Sequence, residues 1–155
     1  MPDLRKPFVD KMIELAENDP KVILITCDLG FSFLERFAEK FPKQYINAGI
    51  AEQNAIGVAA GLALGGFRPY VYSNTIFLLS RGHEFVRNEV AYNNLNVKLV
   101  GTKAAGFLGF SHNLGVFESA ESWLKGMPNI KQFSPLSEEE LGKSLINNGP
   151  SFIQL

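Results

Sequence analysis

Short, continuously apolar runs alternate with helical patterns along this sequence, and the alternation restricts the fold more than any other feature. Six runs are strand candidates, the last two being weaker: 21–27, 68–73, 96–102, 151–155, 44–46 and 130–133. Strands that are apolar on both faces and are separated by helices are typical of a parallel sheet covered on both sides. The sequence therefore predicts an α/β fold with a doubly wound, mainly parallel sheet.

Helical patterns occupy the intervals between these strands. They lie at about 7–18, 32–40, 51–65, 77–93, 117–125 and 137–147. The chain has 155 residues and shows no repeat or linker, which predicts one domain over 1–155 because domains commonly hold roughly 100–200 residues. Ligands of such folds bind beyond the carboxyl ends of the strands, so the loops at 28–32, 74–77 and 103–117 are candidate binding loops.

Charge and cysteine content argue against several classes of protein. The 15 basic and 16 acidic residues nearly balance, whereas a nucleic-acid binder shows a basic stripe. The N-terminus has no signal-like apolar core, and the least charged long stretch, 53–67, is too short to span a bilayer. Cys27 is the only cysteine, so we expect a reducing, cytoplasmic location and interpret Cys27 as a small buried apolar residue.

Common catalytic and nucleotide-binding motifs are absent from the sequence. It contains no GxGxxG fingerprint and no GxSxG nucleophile motif. Gly101 and Gly106 have the spacing of a phosphate-binding loop, but apolar residues follow where Lys and Ser/Thr are required. His83 and His112 lie far apart without an HExxH motif, so we predict no metal site within this chain.

The segment 45–69, YINAGIAEQNAIGVAAGLALGGFRP, is the most informative part of the sequence. It predicts a helix with Glu52 in its first turn, where a carboxylate complements the helix dipole. Gly57 and Gly61 are one helical turn apart and would leave a flat strip that another backbone could approach. The glycine pair at 65–66 would end the helix.

This segment resembles the pyrimidine-binding domain of transketolase and its relatives, including deoxyxylulose-phosphate synthase. The resemblance covers nearly the whole chain. It is carried by the segments CDLGFS (27–32), RFAEKFPKQYINAGIAEQN (36–54), GIAEQNAIGVAAGLALGGFRP (49–69), FLLSRGHEFVRNEVAYNNLNVKLVGT (77–102), MPNIKQFSP (127–135) and GPSFIQL (149–155).

The resemblance implies that the cofactor is thiamine diphosphate and assigns it several residues. Glu52 matches the family's catalytic glutamate, which hydrogen-bonds the pyrimidine ring of the cofactor. Leu29 matches the residue that supports the cofactor's bent conformation, and Asp28 matches an acid beside the cofactor. Without the resemblance, these two would be a core leucine and a helix N-cap. Phe77 is assigned to stack on the pyrimidine, although a gap placed one residue differently would bring Leu78 there.

Two residues are assigned to substrate by the same resemblance. Ser32 matches a serine that helps to hold a sugar phosphate, although alone it would be interpreted as a helix cap. His112, in GFSHN, matches a histidine that faces the substrate and the reacting carbon, so we expect it to be catalytic and substrate-binding. The family's GEDGxTHQ is GFLGFSHN here, which removes two acids and indicates different donor or acceptor sugars.

The family's other domains have no counterpart in this sequence. The pyrophosphate-binding domain carries a GDG…N motif that holds Mg²⁺ and the diphosphate, and that motif is missing. We therefore expect the chain to be the pyrimidine-binding subunit of a split enzyme or an excised piece of one, and to be inactive alone. The partner of a split enzyme would hold the Mg²⁺, in a heterotetramer or a larger assembly. The flat glycine strip and some of the 13 phenylalanines would form the interface.

The predicted activity is transfer of a two-carbon ketol unit between sugar or sugar-phosphate substrates, without nucleic acid or membrane as partner. Two alternatives stay open. One is a decarboxylating carboligase of the same family, and the other is a non-catalytic assembly or regulatory module. The presence of Glu52 disfavours the module, because a structural subunit has no need of that carboxylate.

Overall fold

A six-stranded, fully parallel sheet forms the centre of the protein in a computed structural model that describes residues 2–102 and 119–155. The strand order is β2-β1-β3-β4-β6-β5. The strands are β1 (Val22–Thr26), β2 (Tyr45–Asn47), β3 (Arg68–Asn74), β4 (Lys98–Thr102), β5 (Lys131–Phe133) and β6 (Ser151–Gln154). All six predicted strand runs are confirmed.

Helices cover the sheet on both faces. They are α1 (Arg5–Asn18), α2 (Glu35–Lys40), α3 (Glu52–Leu64), α4 (His83–Phe85), α5 (Ala120–Leu124) and α6 (Glu138–Leu145). Two π-helical stretches, π1 (Phe77–Arg81) and π2 (Val86–Ala91), flank α4, and we call 77–91 the central helical segment. The helix predicted at 77–93 is therefore observed, but wider π-helical turns make up most of it. π-helical turns are rare and occur frequently at functional sites.

Side chains of each strand point alternately to two separate apolar cores. Leu24, Tyr70 and Ile153 contribute to the first core, which α1, α2 and α6 cover. The intervening residues Ile25 and Val71 contribute to the second core, which α3, the central helical segment and α5 cover. This division of consecutive strand residues confirms the predicted doubly wound fold, because only strands buried on both faces are apolar throughout.

Two of the observed helices are shorter than predicted. The helix predicted at 32–40 begins later, at Glu35, because residues 31–33 form turns. The helix predicted at 117–125 is observed as Ala120–Leu124, and its first two predicted residues lie outside the described part of the chain. In the ranges that the structure describes, no helix has the length and apolar character needed to cross a membrane.

The strand order reverses beside β1, and this reversal locates the site. The chain passes from β1 outward to β2, then returns through α3 to β3 on the other side of β1. In open parallel sheets, ligands bind at such a switch point, beyond the carboxyl ends of the two diverging strands. Here these ends are Thr26 of β1 and Asn74 of β3, with the first turn of α3 beside them.

Candidate functional site

Glu52 is a buried carboxylate at the switch point of the sheet. It is the first residue of α3, and 2% of its surface is exposed. A short turn after β2, in which Gly49 has a φ of 72°, brings the chain into this helix. A carboxylate so far from water requires hydrogen-bond donors or a cation nearby, since burial of an uncompensated charge is unfavourable.

Both oxygens of Glu52 have such partners. The Ser73 hydroxyl at the end of β3 donates to Glu52 Oε1 over 3.0 Å. Arg81 Nη1, at the end of π1, donates to Glu52 Oε2 over 3.2 Å and forms an ion pair with it. The Arg81 side chain is 44% exposed, so the carboxylate is held between a buried hydroxyl and a cation at the surface.

Phe77 lies beside the arginine that pairs with this carboxylate, whereas Leu78 lies in the second core. Arg81 Cζ is 4.2 Å from the centroid of the Phe77 ring, and the Phe77 side chain is half-buried. Leu78 is fully buried in the second core. Phe77 and Glu52 thus contact the same flat group with a polar edge, the guanidinium of Arg81, which favours Phe77 over Leu78 as the stacking residue.

Cys27 is a third member of the buried group around Ser73. It is 1% exposed, and burial raises the pKa of its thiol to about 12. The negative charge of Glu52 also raises that pKa, whereas a hydrogen bond with Ser73 lowers it. A thiol of this kind is protonated at neutral pH and is not a nucleophile, which agrees with the interpretation of Cys27 as a small apolar residue.

Asp28 and Asn47 join the ends of β1 and β2 next to the site. The Asp28 N–H donates to Asn47 Oδ1 over 3.1 Å, and the same oxygen accepts from the Gly49 N–H over 3.0 Å. Asn47 Nδ2 in turn donates to Asp28 Oδ1 over 3.3 Å. The Asp28 carboxylate is therefore exposed and aligned by Asn47, and it does not cap the following helix, whose N-cap is Leu34.

The other two residues predicted in the loop after β1 lie at different depths. Leu29 is half-buried against the first core, and its carbonyl accepts a hydrogen bond from Thr26 Oγ1 over 2.7 Å. Ser32 is exposed, with a φ of 68°. Its side chain does not cap α2. Instead the Ser32 N–H donates to Glu35 Oε1 over 2.8 Å, and this backbone hydrogen bond lowers the pKa of Glu35.

His112 lies outside the described residues, as does the rest of 103–118. The strand that precedes this stretch is anchored by a buried polar network. Thr75 Oγ1 donates to Gln154 Oε1 over 2.9 Å, and Gln154 Nε2 donates to the Gly101 carbonyl over 2.9 Å. This network connects the carboxyl ends of β3, β4 and β6 directly beside the start of the central helical segment.

The glycine strip of α3 is only partly open, which corrects the expectation that both glycines face a partner. A Cβ at Gly57 would lie 2.9 Å from Phe85 Cε1, so the Phe85 side chain of this same chain packs against Gly57. At Gly61 a Cβ would meet no atom within 4 Å. The surface around Gly61 is apolar and exposed, since Val58 is 38% and Leu64 is 75% exposed.

Sequence reasoning missed Ser73 and Arg81. Arg81 could have been found, because it follows Phe77 by four residues in a helical pattern, a spacing that brings a cation over an aromatic ring. Ser73 carried no comparable signal. In the two described ranges, no three His, Cys, Asp or Glu side chains come together in a way that could hold a metal ion.

A family model described as the pyrimidine-binding domain of transketolase matches residues 1–148. Among curated proteins, the chain is 35% identical over 159 residues to 6-deoxy-6-sulfo-D-fructose transketolase subunit SqwH of Clostridium sp. (strain MSTE9), covering 98% of this chain and 49% of the relative. It is 36% identical over 148 residues to 1-deoxy-D-xylulose-5-phosphate synthase of Acaryochloris marina (strain MBIC 11017), covering 94% of this chain and 23% of the relative.

The fold is also similar to that of a solved structure. A structure described as "Split gene transketolase, inactive beta4 tetramer" superposes with a TM-score of 0.84 at 33% identity, covering 97% of this chain and 50% of that one. The chain thus spans about half the length of the subunit-type relatives and about a quarter of the synthase.

Proposed function

The chain belongs to the transketolase family, where it matches the pyrimidine-binding domain, and from this premise we propose that it is the pyrimidine-binding subunit of a split, thiamine-diphosphate-dependent transketolase-like enzyme. The observation that carries the proposal is the buried carboxylate of Glu52 at the switch point of the sheet, which the Arg81 guanidinium joins to the half-buried ring of Phe77. The similarity to a transketolase subunit and to a split-gene transketolase supports the division into two chains.

The residues around Glu52 fit the aminopyrimidine of the cofactor. A half-buried aromatic ring offers a stacking surface, a half-buried leucine offers an apolar support, and a buried carboxylate offers a hydrogen-bond partner for a ring nitrogen. We assign these roles to Phe77, Leu29 and Glu52. Asp28, which Asn47 orients, would bind the polar edge of the cofactor.

When bound, thiamine diphosphate supplies a nucleophilic carbon and an electron sink for making and breaking carbon–carbon bonds. Glu52 would share a proton between one of its oxygens and the ring nitrogen that it contacts. Ser73 holds the other carboxylate oxygen in place, so that Glu52 is oriented before the ring arrives. Burial excludes water from the carboxylate and strengthens this hydrogen bond.

We assign substrate binding to the loops around Glu52. Ser32 would bind a sugar or sugar phosphate at the exposed rim, and His112 would face the substrate and the reacting carbon. The proposed reaction moves a two-carbon ketol unit between such substrates in the cytoplasm, where the single buried cysteine is compatible with reducing conditions.

A partner subunit with a pyrophosphate-binding domain would hold the diphosphate and a Mg²⁺ ion, in a heterotetramer or a larger assembly. We assign the contact with this partner to an exposed apolar surface on α3 and the residues just before it. This surface consists of the exposed apolar residues around Gly61 and of Ile50, which is 75% exposed. Aromatic and aliphatic side chains of this kind are enriched in the cores of interfaces.

The test is to combine the chain with a candidate pyrophosphate-domain subunit and to measure thiamine diphosphate binding and ketol transfer. We expect tight binding and turnover only for the mixture, and loss of turnover on Glu52→Gln. Glu121→Gln is the matched control, because Glu121 is also a first-turn glutamate but is exposed. Full turnover of the Glu52→Gln mixture, or equally tight binding by the isolated chain, contradicts the proposal.

The similarity to a 1-deoxy-D-xylulose-5-phosphate synthase favours one second candidate, a carboligase of the same family that decarboxylates its donor. The same mixture distinguishes the two activities. Release of carbon dioxide from a 2-oxo acid donor would support the carboligase, and its absence during turnover of a ketose donor would support ketol transfer.

A further inference from the structure

The guanidinium of Arg81 makes, at the same time, the two contacts that the proposed function assigns to the cofactor ring. Its Nη1 lies 3.2 Å from Glu52 Oε2, and its Cζ lies 4.2 Å from the centroid of Phe77. The guanidinium is flat, carries hydrogen-bond donors at its edge and stacks on aromatic faces. In these properties it resembles an aminopyrimidine.

This position is favourable for Arg81 in the isolated chain. Glu52 is buried, with 1% of its side chain exposed, so a cation at its free oxygen compensates the charge. The aromatic ring below adds a cation–π contact. Arg81 nevertheless remains 44% exposed, which leaves its side chain an outward path that needs no rearrangement of the core.

Arg81 and a pyrimidine ring cannot make these contacts together. Ser73 already occupies Glu52 Oε1, so the oxygen that a ring would reach is the one that Arg81 holds. A ring that lies over Phe77 and within hydrogen-bond distance of Glu52 must enter the space between them, which contains the guanidinium.

We propose that Arg81 is an internal competitor of the cofactor: it occupies the pyrimidine position and must swing outward before the ring can bind. This inference rests on the proposed function, since it takes the pyrimidine position from it. A protein that is competent to bind in only a fraction of its molecules has its apparent affinity reduced by that fraction. The isolated chain should therefore bind the ring weakly, and removal of the competitor should strengthen binding.

The experiment titrates the full 155-residue chain with thiamine, which carries the pyrimidine but needs no diphosphate site. Arg81→Gln keeps a donor near the buried carboxylate while it removes the charge and the planar cation. Arg87→Gln is the matched control, because Arg87 lies on the same helical segment and donates to Asn88. We expect Arg81→Gln to bind thiamine about tenfold more tightly than the wild type and the control, as for a competitor present in about nine-tenths of the molecules.

A second measurement uses only the wild-type chain and so does not depend on whether a variant folds. In wild-type chain labelled with ¹⁵N, the Arg81 side-chain Nε–H signal should shift on addition of thiamine, whereas that of Arg87 should not. Equal or weaker binding by a folded Arg81→Gln variant overturns the inference. Saturation with thiamine without any change at Arg81 also overturns it.

Glu52→Gln separates this failure from a failure of the proposed function. If thiamine binding to the wild type is lost on Glu52→Gln but Arg81→Gln does not improve it, the proposed function is supported and the competitor is not. If Arg81→Gln binds more tightly and an added Glu52→Gln leaves that binding unchanged, thiamine lies elsewhere, and both the proposed function and the inference are wrong.

Discussion

Ile56 of α3 packs directly against the Cα of Gly82 in the central helical segment, and no side chain fits between them. A Cβ at position 82 would lie 2.3 Å from Ile56 Cδ1 and 2.6 Å from the Leu78 carbonyl oxygen. In the reverse contact, Phe85, three residues after Gly82, packs against Gly57, the residue after Ile56. These two contacts fix the distance between Glu52 on α3 and Arg81 next to Gly82.

Gly82→Ala should therefore destabilise the chain. The backbone carbonyl of Leu78 cannot move away as a flexible side chain could, so the helical segment itself must shift. We expect a loss of about 1–3 kcal/mol in the free energy of unfolding, as for other overpacked cores. Urea unfolding followed by circular dichroism measures this value.

Gly61→Ala is the matched control for Gly82→Ala. Gly61 is also a glycine in a helix, but a Cβ there meets no atom within 4 Å. Alanine in a helix interior is more stable than glycine by about 0.5–1 kcal/mol, so the isolated chain should become more stable by this amount. Equal effects of the two substitutions would show that the close contact at Gly82 does not exist in solution.

Lys98 is a buried lysine at the opposite, amino-terminal end of the sheet. Its Nζ donates to Asn96 Oδ1 over 2.5 Å and to the Gly149 carbonyl over 2.6 Å. These acceptors favour the charged amine, but burial dominates and lowers the pKa of Lys98 to about 7, with further lowering by the positive charges of Arg68 and Lys131. The charged form of Lys98 is therefore unfavourable in the folded state.

Lys98→Met should stabilise the chain at pH 7 and should do so less as the pH rises. Between pH 7 and about 10.5 the unfolded chain keeps a proton on Lys98 that the folded chain has released, so wild-type stability rises with pH in this window. We expect a gain of about 1–3 kcal/mol at pH 7 after subtraction of the two lost hydrogen bonds. The measurement is the difference in unfolding free energy between variant and wild type at pH 7 and pH 9.5.

Lys143→Met provides the comparison for Lys98→Met. The Lys143 side chain is 71% exposed and donates to Glu139 Oε1, so its removal should change stability little at either pH. A stability gain at Lys98 that does not shrink between the two pH values would contradict the assigned protonation.

The fold was predictable from the sequence because runs such as 22–25 are apolar at every position, a pattern that parallel sheets require. The flanking motif indicates Glu52 as a candidate catalytic residue. The hydrogen-bond partners of Glu52 were harder to predict. Ser73, 21 residues away, has no distinctive pattern, and Arg81, 29 residues away, has only its spacing from Phe77, which does not indicate a contact with Glu52. The contact between Phe85 and Gly57 was not predictable either, because it forms only when α3 and the central helical segment pack together.

Ser73→Ala should weaken the support of Glu52. It leaves Glu52 Oε1 buried without its hydroxyl donor, for which the expected cost is about 1–3 kcal/mol. Ser80→Ala is the control, since the Ser80 hydroxyl donates to the Ile76 carbonyl and does not touch Glu52. Denaturant unfolding measures the stability of both variants. An equal loss of unfolding free energy in both would mean that the hydrogen bond to Glu52 stabilises the chain no more than the hydrogen bond of Ser80.

The reaction rate of the Cys27 thiol measures how well the site around Glu52 excludes water. Because burial and the charge of Glu52 raise the pKa of its thiol to about 12, the thiolate needed for reaction is scarce at pH 8. We expect the folded chain to react with a disulfide reagent roughly a thousandfold more slowly than the chain in denaturant, in line with the loss of thiolate. Labelling followed by mass spectrometry measures both rates.

Glu52→Gln removes the negative charge and should accelerate the folded-state reaction while leaving the rate in denaturant unchanged. A folded-state rate close to the denatured one would mean that water reaches Cys27, and that the Glu52 carboxylate next to it is solvated as well.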